Sequence, residues 1–176
     1  MSGHSKWAKV KRQKAVTDGA KSRVFGKFAR LIAVESKKVR GDVSSPSLRA
    51  VIDRAKEANM PKDNIERAVQ KGATNDTLSF ESVLYETYGP GGVAVLIDAL
   101  TDSRNRTAQE VKALLGKFEC ALATPGSAQW AFMKGPEGYT PNSTIQLGLD
   151  DEKKLTGLLE ALDEHDDVQE VYANNA

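Results

Sequence analysis

The sequence predicts an α+β protein in which a small all-helical domain is followed by a sandwich of helices on a mainly antiparallel sheet. Three observations predict this arrangement. Apolar residues recur at helical spacing between residues 20 and 72, and strand-like apolar runs separated by turn signals begin after Phe80. The polar segment GATNDT, residues 72–77, separates the two patterns. We therefore place a first domain over residues 1–75 and a second over residues 76–176.

The first domain is predicted to contain three helices behind a basic N-terminal arm. The first helix begins near Ala20, where aromatic and aliphatic residues fall on one stripe and lysines lie largely off it. Ser45 is placed to cap a second helix that has Pro46 at its first position. A third helix opens at Pro61, and Gly72 is predicted to be its C-terminal stop.

The second domain is predicted to begin with a hairpin, because the apolar runs 83–85 and 93–97 flank the turn sequence GPGG. Asp102 or Ser103 starts the next helix, in which Thr107 and Glu110 have the spacing of a capping box. The remaining predicted elements are strands near 120–122, 128–133, 144–149 and 168–172 and a helix over 151–164.

The formal net charge of +1 conceals two segments of opposite sign. Residues 1–75 contain 18 Lys and Arg against 7 Asp and Glu, whereas residues 76–176 contain 7 against 17. Residues 1–40 alone contain 12 basic and 2 acidic residues. Such a basic block is the usual footprint of a phosphate-binding surface. The alternative is a solvated helix face, which is usually mixed in sign.

Residues 1–16 are predicted to form an arm without a core, which folds when it meets a polyanion. Trp7 either stacks on an exposed base or anchors the arm to the helical domain. Arg104 and Arg106 either hold a phosphate at a helix start or bridge to the acidic half of the chain. The candidate nucleic-acid-binding residues are His4, Ser5, Lys6, Trp7, Lys9, Lys11, Arg12, Lys14, Lys21, Arg23, Arg104 and Arg106.

The sequence offers no candidate for catalysis. Two histidines and one cysteine cannot assemble a Cys/His zinc site, and no phosphate loop, dinucleotide fingerprint or nucleophile elbow is present. We expect no catalytic residue, no metal, no cofactor and no small-molecule substrate. Two other classes stay open: a Mg²⁺-dependent nuclease that uses carboxylates such as Asp166 and Asp167, and an adaptor whose arm binds an acidic protein.

The composition predicts a cytoplasmic protein, which we expect to be a monomer. No apolar run approaches the roughly 20 residues that span a bilayer, and the basic N-terminus lacks the apolar segment of a secretory signal. A lone Cys120 fits a reducing compartment. The alternative interpretation of the Lys-rich, acid-poor start is an organellar transit peptide.

Four long strings of the sequence resemble the YebC/PmpR family. They are GHSKWAKVKRQKA at 3–15, NMPKDNIERAVQKG at 59–72, YGPGGVAVLIDALTDSRNRT at 88–107 and DDVQEVY at 166–172. The resemblance implies an all-helical first domain, ferredoxin-like α/β domains and DNA-binding transcriptional regulation. The family also includes the mitochondrial translational activator of cytochrome c oxidase, and some bacterial members are described as translation factors. Ribosomal RNA in the ribosome is therefore the alternative target to DNA.

One segment departs from the family pattern. Family members carry a third domain between the strands that correspond to 128–133 and 144–149, whereas KGPEGYTPNS, residues 134–143, leaves room only for a short loop. The resemblance thus implies that the third domain is missing and that this chain binds more weakly or differently. No helix carries a clear set of base-reading side chains, so we expect recognition of phosphate and shape.

Overall fold

A computed structural model describes residues 6, 7, 10, 11, 17–75 and 79–176, which belong to two compact units. The helical unit comprises residues 16–80, and the α/β unit comprises residues 81–176 together with residues 1–15. The arm, which we predicted as part of the helical domain, is thus grouped with the α/β unit instead. Within the described residues, none of the helices combines the length and the apolar character that crossing a membrane requires.

The helical unit consists of α1 (Asp18–Lys38), α2 (Pro46–Glu57) and α3 (Lys62–Thr74). The Thr17 hydroxyl caps α1 by accepting a hydrogen bond from the backbone N–H of Ala20 at 3.2 Å. Apolar residues at helical spacing on all three helices meet in one core. Its buried members are Ile32, Leu48, Val51, Ile52, Ala55, Met60, Ile65, Ala68 and Val69. The predicted three-helix arrangement is confirmed.

Gly72 lies inside α3, so its predicted role as a helix stop is wrong. A Cβ atom at this position would lie 2.1 Å from the backbone oxygen of Ala33 in α1. Close by, the Ser36 hydroxyl donates a hydrogen bond of 2.6 Å to the carbonyl oxygen of Val69. Glycine is therefore required here because the backbones of α1 and α3 approach each other too closely for a side chain.

Residues 81–176 of the α/β unit contain five strands and two α-helices. In chain order they are β1 (Glu81–Tyr88), β2 (Ala94–Thr101), α4 (Arg104–Gly116), β3 (Phe132–Gly135), β4 (Gly138–Pro141), α5 (Leu149–Asp163) and β5 (Val168–Ala173). The main sheet has the order β1-β2-β5, and both pairs are antiparallel. The predicted GPGG hairpin is confirmed, and Gly91 and Gly92 have the positive φ angles, 77° and 80°, that favour glycine.

The central strand β2 is buried on both faces. Val95 and Ile97 belong to a core shared with α4 and α5, and the alternate residues Ala94 and Leu96 belong to a second core with the β3–β4 hairpin. The α/β unit is therefore a sandwich in which helices cover one face of an antiparallel sheet and a hairpin packs on the other. This confirms the predicted α+β class.

Four predictions of strands and loops are wrong in this unit. Where a strand was expected over 128–133, Gln129–Ala131 form a 3₁₀ turn and β3 begins only at Phe132. The expected loop over 134–143 contains most of the β3–β4 hairpin, whose turn places Gly138 at φ 112°. The expected strands 120–122 and 144–149 reduce to single bridges, at Leu122 and at Ile145. Both residues are partly buried against the helix-side core, so their apolar character comes from packing and not from a strand ladder.

Candidate nucleic-acid interface

A basic stripe runs along α1 and consists of Arg23, Lys27, Arg30 and Lys37, which we call the α1 stripe. Their separations of four, three and seven residues keep these side chains on one face of an α-helix, opposite the buried Ile32. At a rise of about 1.5 Å per residue the stripe is about 21 Å long. One strand of duplex DNA carries about six phosphates over that length.

The acidic residues of α1 do not interrupt this stripe. Glu35 lies off it by helical spacing and pairs with Lys38, with Nζ 2.7 Å from Oε1. The guanidinium of Arg30 lies 4.8 Å from the centroid of the Phe80 ring, a cation–π contact that orients it. Of the predicted residues on α1, Arg23 is exposed on the stripe, whereas Lys21 is exposed about half a turn away from Arg30.

The described part of the arm packs against the α/β unit. Lys6, Trp7, Val10 and Lys11 have helical backbone, and only 4% of Trp7 is exposed. Trp7 belongs to the buried core of α4, α5 and the sheet, and Val10 packs against the same core. Trp7 is therefore an anchor, which is one of the two interpretations of the sequence. It anchors the arm to the α/β unit, where we had expected the helical domain.

Carboxylates of α5 and β5 pair with the lysines of the arm. Lys6 forms an ion pair with Glu152, and the Nζ of Lys11 lies 2.9 Å from Asp163 and 3.0 Å from Glu170. Burial by itself lowers the pKa of Lys11, but the charges of Glu170 and Asp163 outweigh it and hold the pKa above its ordinary value. Lys11 is therefore charged throughout the physiological pH range.

The remaining arm candidates, His4, Ser5, Lys9, Arg12 and Lys14, lie outside the described residues.

Arg106 is engaged by carboxylates of its own unit. Its guanidinium lies 2.8 Å from Asp167 and 2.9 Å from Asp102, and these hydrogen bonds raise its pKa. Asp167 is buried and also accepts a 2.7 Å hydrogen bond from the Thr107 hydroxyl. Arg104 is exposed and lies 3.6 Å from Glu81. Both arginines thus bridge to acidic residues. This is the interpretation that the sequence offered as the alternative to a phosphate site.

The predicted capping box of α4 does not form. The Thr107 hydroxyl bonds to the carbonyl oxygen of Ser103 at 3.1 Å and to Asp167, and Glu110 pairs with His165. The helix begins at Arg104, which places Thr107 one turn inside it and beyond the capping position. The apparent motif supplies a buried hydroxyl to the Asp167 network.

A cluster of metal-ligand type lies beside this network, but its donors are occupied. Glu110, His165 and Asp167 place their ligand atoms within 4.8 Å of one another. The backbone N–H of Asp167 donates to Nδ1 of His165, whose Nε2 therefore donates to Glu110 at 2.8 Å. The Arg106 guanidinium pairs with Asp167, and its positive charge opposes a divalent cation. Asp166 is exposed and outside the cluster, so the geometry does not fit the nuclease alternative.

The fold and its charged surfaces define a class, a two-unit α+β protein with a basic helical unit and an acidic α/β unit. The sequence profile of the TACO1/YebC N-terminal domain matches residues 5–75, and that of the TACO1/YebC second and third domain matches residues 80–136 and 137–175. The chain belongs to the TACO1/YebC family.

Bacterial relatives match nearly the whole chain. A protein of Kosmotoga olearia is 37% identical over 236 residues, which cover 99% of this chain and 94% of the relative. A protein of Lacticaseibacillus casei is 39% identical over 179 residues, with 99% and 73% coverage. Both are named probable transcriptional regulatory proteins. The crystal structure of a conserved hypothetical protein from Aquifex aeolicus superposes with a TM-score of 0.85 at 32% identity, covering 98% of this chain and 97% of the other.

The Kosmotoga relative also differs from this chain in length. The 236-residue alignment with the Kosmotoga protein is longer than this chain of 176 residues, so the relative contains a stretch without a counterpart here. The second profile match is interrupted between residues 136 and 137, at the turn that joins β3 to β4. This position lies within residues 134–143, where the resemblance implied the missing third domain.

Proposed function

We propose that the chain is a non-enzymatic regulator of gene expression that binds DNA through the α1 stripe. The observation that carries the proposal is the row of four cations, Arg23, Lys27, Arg30 and Lys37, that helical spacing places on one face of α1. The naming of the relatives as probable transcriptional regulatory proteins supports the regulatory role. We also propose that the protein is cytoplasmic and monomeric. The lone, half-buried Cys120 supports a reducing compartment such as the cytoplasm.

Binding of this kind depends on phosphates and not on base edges. Arginine and lysine side chains that neutralise phosphates release counterions, and each contact contributes about 0.9 to the salt dependence of the affinity. Four contacts from the stripe predict that log K falls against log salt concentration with a slope of about −3.6. The stripe alone therefore predicts weak sequence preference and affinity that decreases steeply with salt.

The test compares the wild type with a triple variant, Arg23→Gln, Lys27→Gln and Lys37→Gln. Affinity for a fluorescent duplex of about 20 base pairs is measured from about 50 to 200 mM salt. We expect the variant to lose about 2.7 of the slope, because three phosphate contacts are removed. A matched control removes the same charge from exposed lysines of α2 and α3, through Lys56→Gln, Lys62→Gln and Lys71→Gln. Equal losses in both variants would refute the assignment to the α1 stripe.

Co-sedimentation with ribosomes identifies the polymer. Ribosome association that survives physiological salt while duplex binding disappears would replace DNA by ribosomal RNA as the target. Duplex binding that is weakened but still measurable at the same salt concentration, without ribosome association, is the result that the proposal predicts. Absence of both kinds of binding in the wild type would overturn the proposed function.

A further inference from the structure

Lys6 and Lys11 contact an acidic strip formed by Glu152 and Asp163 of α5 and Glu170 of β5. Lys6 pairs with Glu152, and Lys11 bridges the other two carboxylates. The arm belongs to the most basic segment of the sequence, in which residues 1–15 contain five Lys and Arg and no acidic residue. In the described structure Lys6 and Lys11 therefore face carboxylates of the same chain.

The docked arm and a nucleic acid compete for the same groups. An ammonium group held between two carboxylates, as in Lys11, is already neutralised and offers little attraction to a phosphate. The indole of Trp7 is buried in the core of the α/β unit, so its ring faces are not accessible to a base. Lys6, Trp7 and Lys11 can contribute to nucleic-acid binding only after they leave the acidic strip.

Features of the docked state make it reversible. The Nε1–H of Trp7 is buried and finds no acceptor among the described residues, which opposes docking. Lys6 is about half exposed, and Lys11 is a quarter exposed, so salt screens both ion pairs. The burial of Trp7 favours docking, whereas the unpaired indole N–H and the exposed pairs weaken it.

We infer that the acidic strip is an autoinhibitory docking surface for the arm, which a nucleic acid must displace before Lys6, Trp7 and Lys11 can bind it. This inference rests on the proposed function, because the competitor is the nucleic acid bound by the α1 stripe. The apparent affinity of the arm for nucleic acid is then reduced by the fraction of molecules in which the arm is undocked. A short or weakly bound polyanion engages the stripe alone, and a tightly bound one recruits the arm as well.

The experiment removes the charge of the strip without changing its shape, through Glu152→Gln, Asp163→Asn and Glu170→Gln. A matched control neutralises three exposed carboxylates of the same unit, through Glu119→Gln, Glu137→Gln and Glu164→Gln. Both variants have the same net charge, so general attraction of a polyanion is equal in them. Melting temperatures establish that each variant is folded.

Trp7 reports docking directly once the other tryptophan is removed. The chain has two tryptophans, so Trp130→Phe leaves Trp7 as the only indole. In this background, acrylamide quenching of fluorescence measures the exposure of Trp7 in the free protein. A second measurement gives the affinity for the 20-base-pair duplex used above.

We expect the strip variant to bind the duplex about fivefold more tightly than the control, because the ion pairs that hold the arm are lost. In the Trp130→Phe background, Trp7 should be protected from quenching when the strip is intact and accessible when the strip is substituted. Equal affinities in the strip and control variants, with the wild type still binding, would overturn the inference alone. Absence of binding in all three proteins would overturn the proposed function and with it the inference.

Discussion

Glu86 provides a quantitative test of the packing in the α/β unit. This carboxylate of β1 is only 3% exposed and accepts three backbone hydrogen bonds. Its Oε1 accepts from Gly126 at 2.6 Å, and its Oε2 accepts from Ala128 at 2.8 Å and Gln129 at 2.9 Å. The substitution Glu86→Gln keeps the shape but replaces one acceptor oxygen by an NH₂ group that faces a backbone N–H.

The magnitude follows from the bonds that are lost. At least one charge-assisted hydrogen bond disappears, which is worth about 1.5–3 kcal/mol, and a buried N–H is left unsatisfied at a further cost of about 1–3 kcal/mol. We therefore expect the free energy of unfolding to fall by about 3 kcal/mol. For a unit of about 100 residues this corresponds to a fall in the melting temperature of about 14 °C.

Thermal denaturation measures this loss, with Glu81→Gln on the same strand as the control. Glu81 is exposed and lies 3.6 Å from Arg104, so its substitution should change stability by about 0.5 kcal/mol or less. The fluorescence of Trp130 is a second readout. Trp130 follows the loop that Glu86 holds and donates a 2.9 Å hydrogen bond to the Tyr88 hydroxyl. A loss below about 1 kcal/mol, equal to that of Glu81→Gln, would refute the reasoning.

Further predictions concern a helix contact, a buried carboxyl and the thiol. Gly72→Ala should lower the free energy of unfolding of the helical unit by about 2 kcal/mol or more, because its Cβ would lie 2.1 Å from the Ala33 oxygen. Gly26→Ala, whose Cβ would meet nothing within 4 Å, should raise the free energy of unfolding, and chemical denaturation measures both changes. Burial and the charge of Glu170 raise the pKa of Asp98, so its ionised form opposes folding. The protonated Asp98 carboxyl contributes to the free energy of unfolding below the unfolded-state pKa, and this contribution is lost as the pH rises through the folded-state pKa. Asp98→Asn should therefore raise the melting temperature at pH 7, and this gain should vanish below about pH 4. Burial raises the pKa of the Cys120 thiol, and alkylation at neutral pH should be slower in the folded than in the unfolded protein.

Periodicity in the sequence was sufficient to predict α1, α2, α3 and the hairpin of β1 and β2. These elements carry their own signals, such as Pro46 at the first position of α2 and the GPGG turn. The β3–β4 hairpin has no comparable signal, because Pro136, Glu137 and two flanking glycines resemble an ordinary loop. Pairing between two four-residue strands is decided by packing of Phe132 and Tyr139 on the main sheet.

Contacts between distant residues were harder to predict than elements. Gly72 carries the sequence signature of a helix end, and only the approach of Ala33 in another helix explains it. Glu86 gave no sequence signal, because its three donors follow some 40 residues later in the chain. The partners of Lys6 and Lys11 lie 146 and 159 residues away, at Glu152 and Glu170. Charge patterning predicted that the arm binds an anion, but it could not identify the anion as part of the chain.

The two structural units therefore do not divide the charges in the way that the two halves of the sequence do. Residues 16–80 contain 13 Lys and Arg against 8 Asp and Glu, and this excess belongs to the helical unit alone. The cations of the arm belong to a unit whose residues 81–176 contain 16 Asp and Glu against 7 Lys and Arg. Because a paired lysine exerts little attraction on a distant phosphate, the proposed function assigns the initial attraction for a polyanion to the helical unit. Under the inferred autoinhibition, Lys6, Trp7 and Lys11 then contribute in proportion to the strength of the competitor, which makes their participation a property of the ligand as much as of the protein.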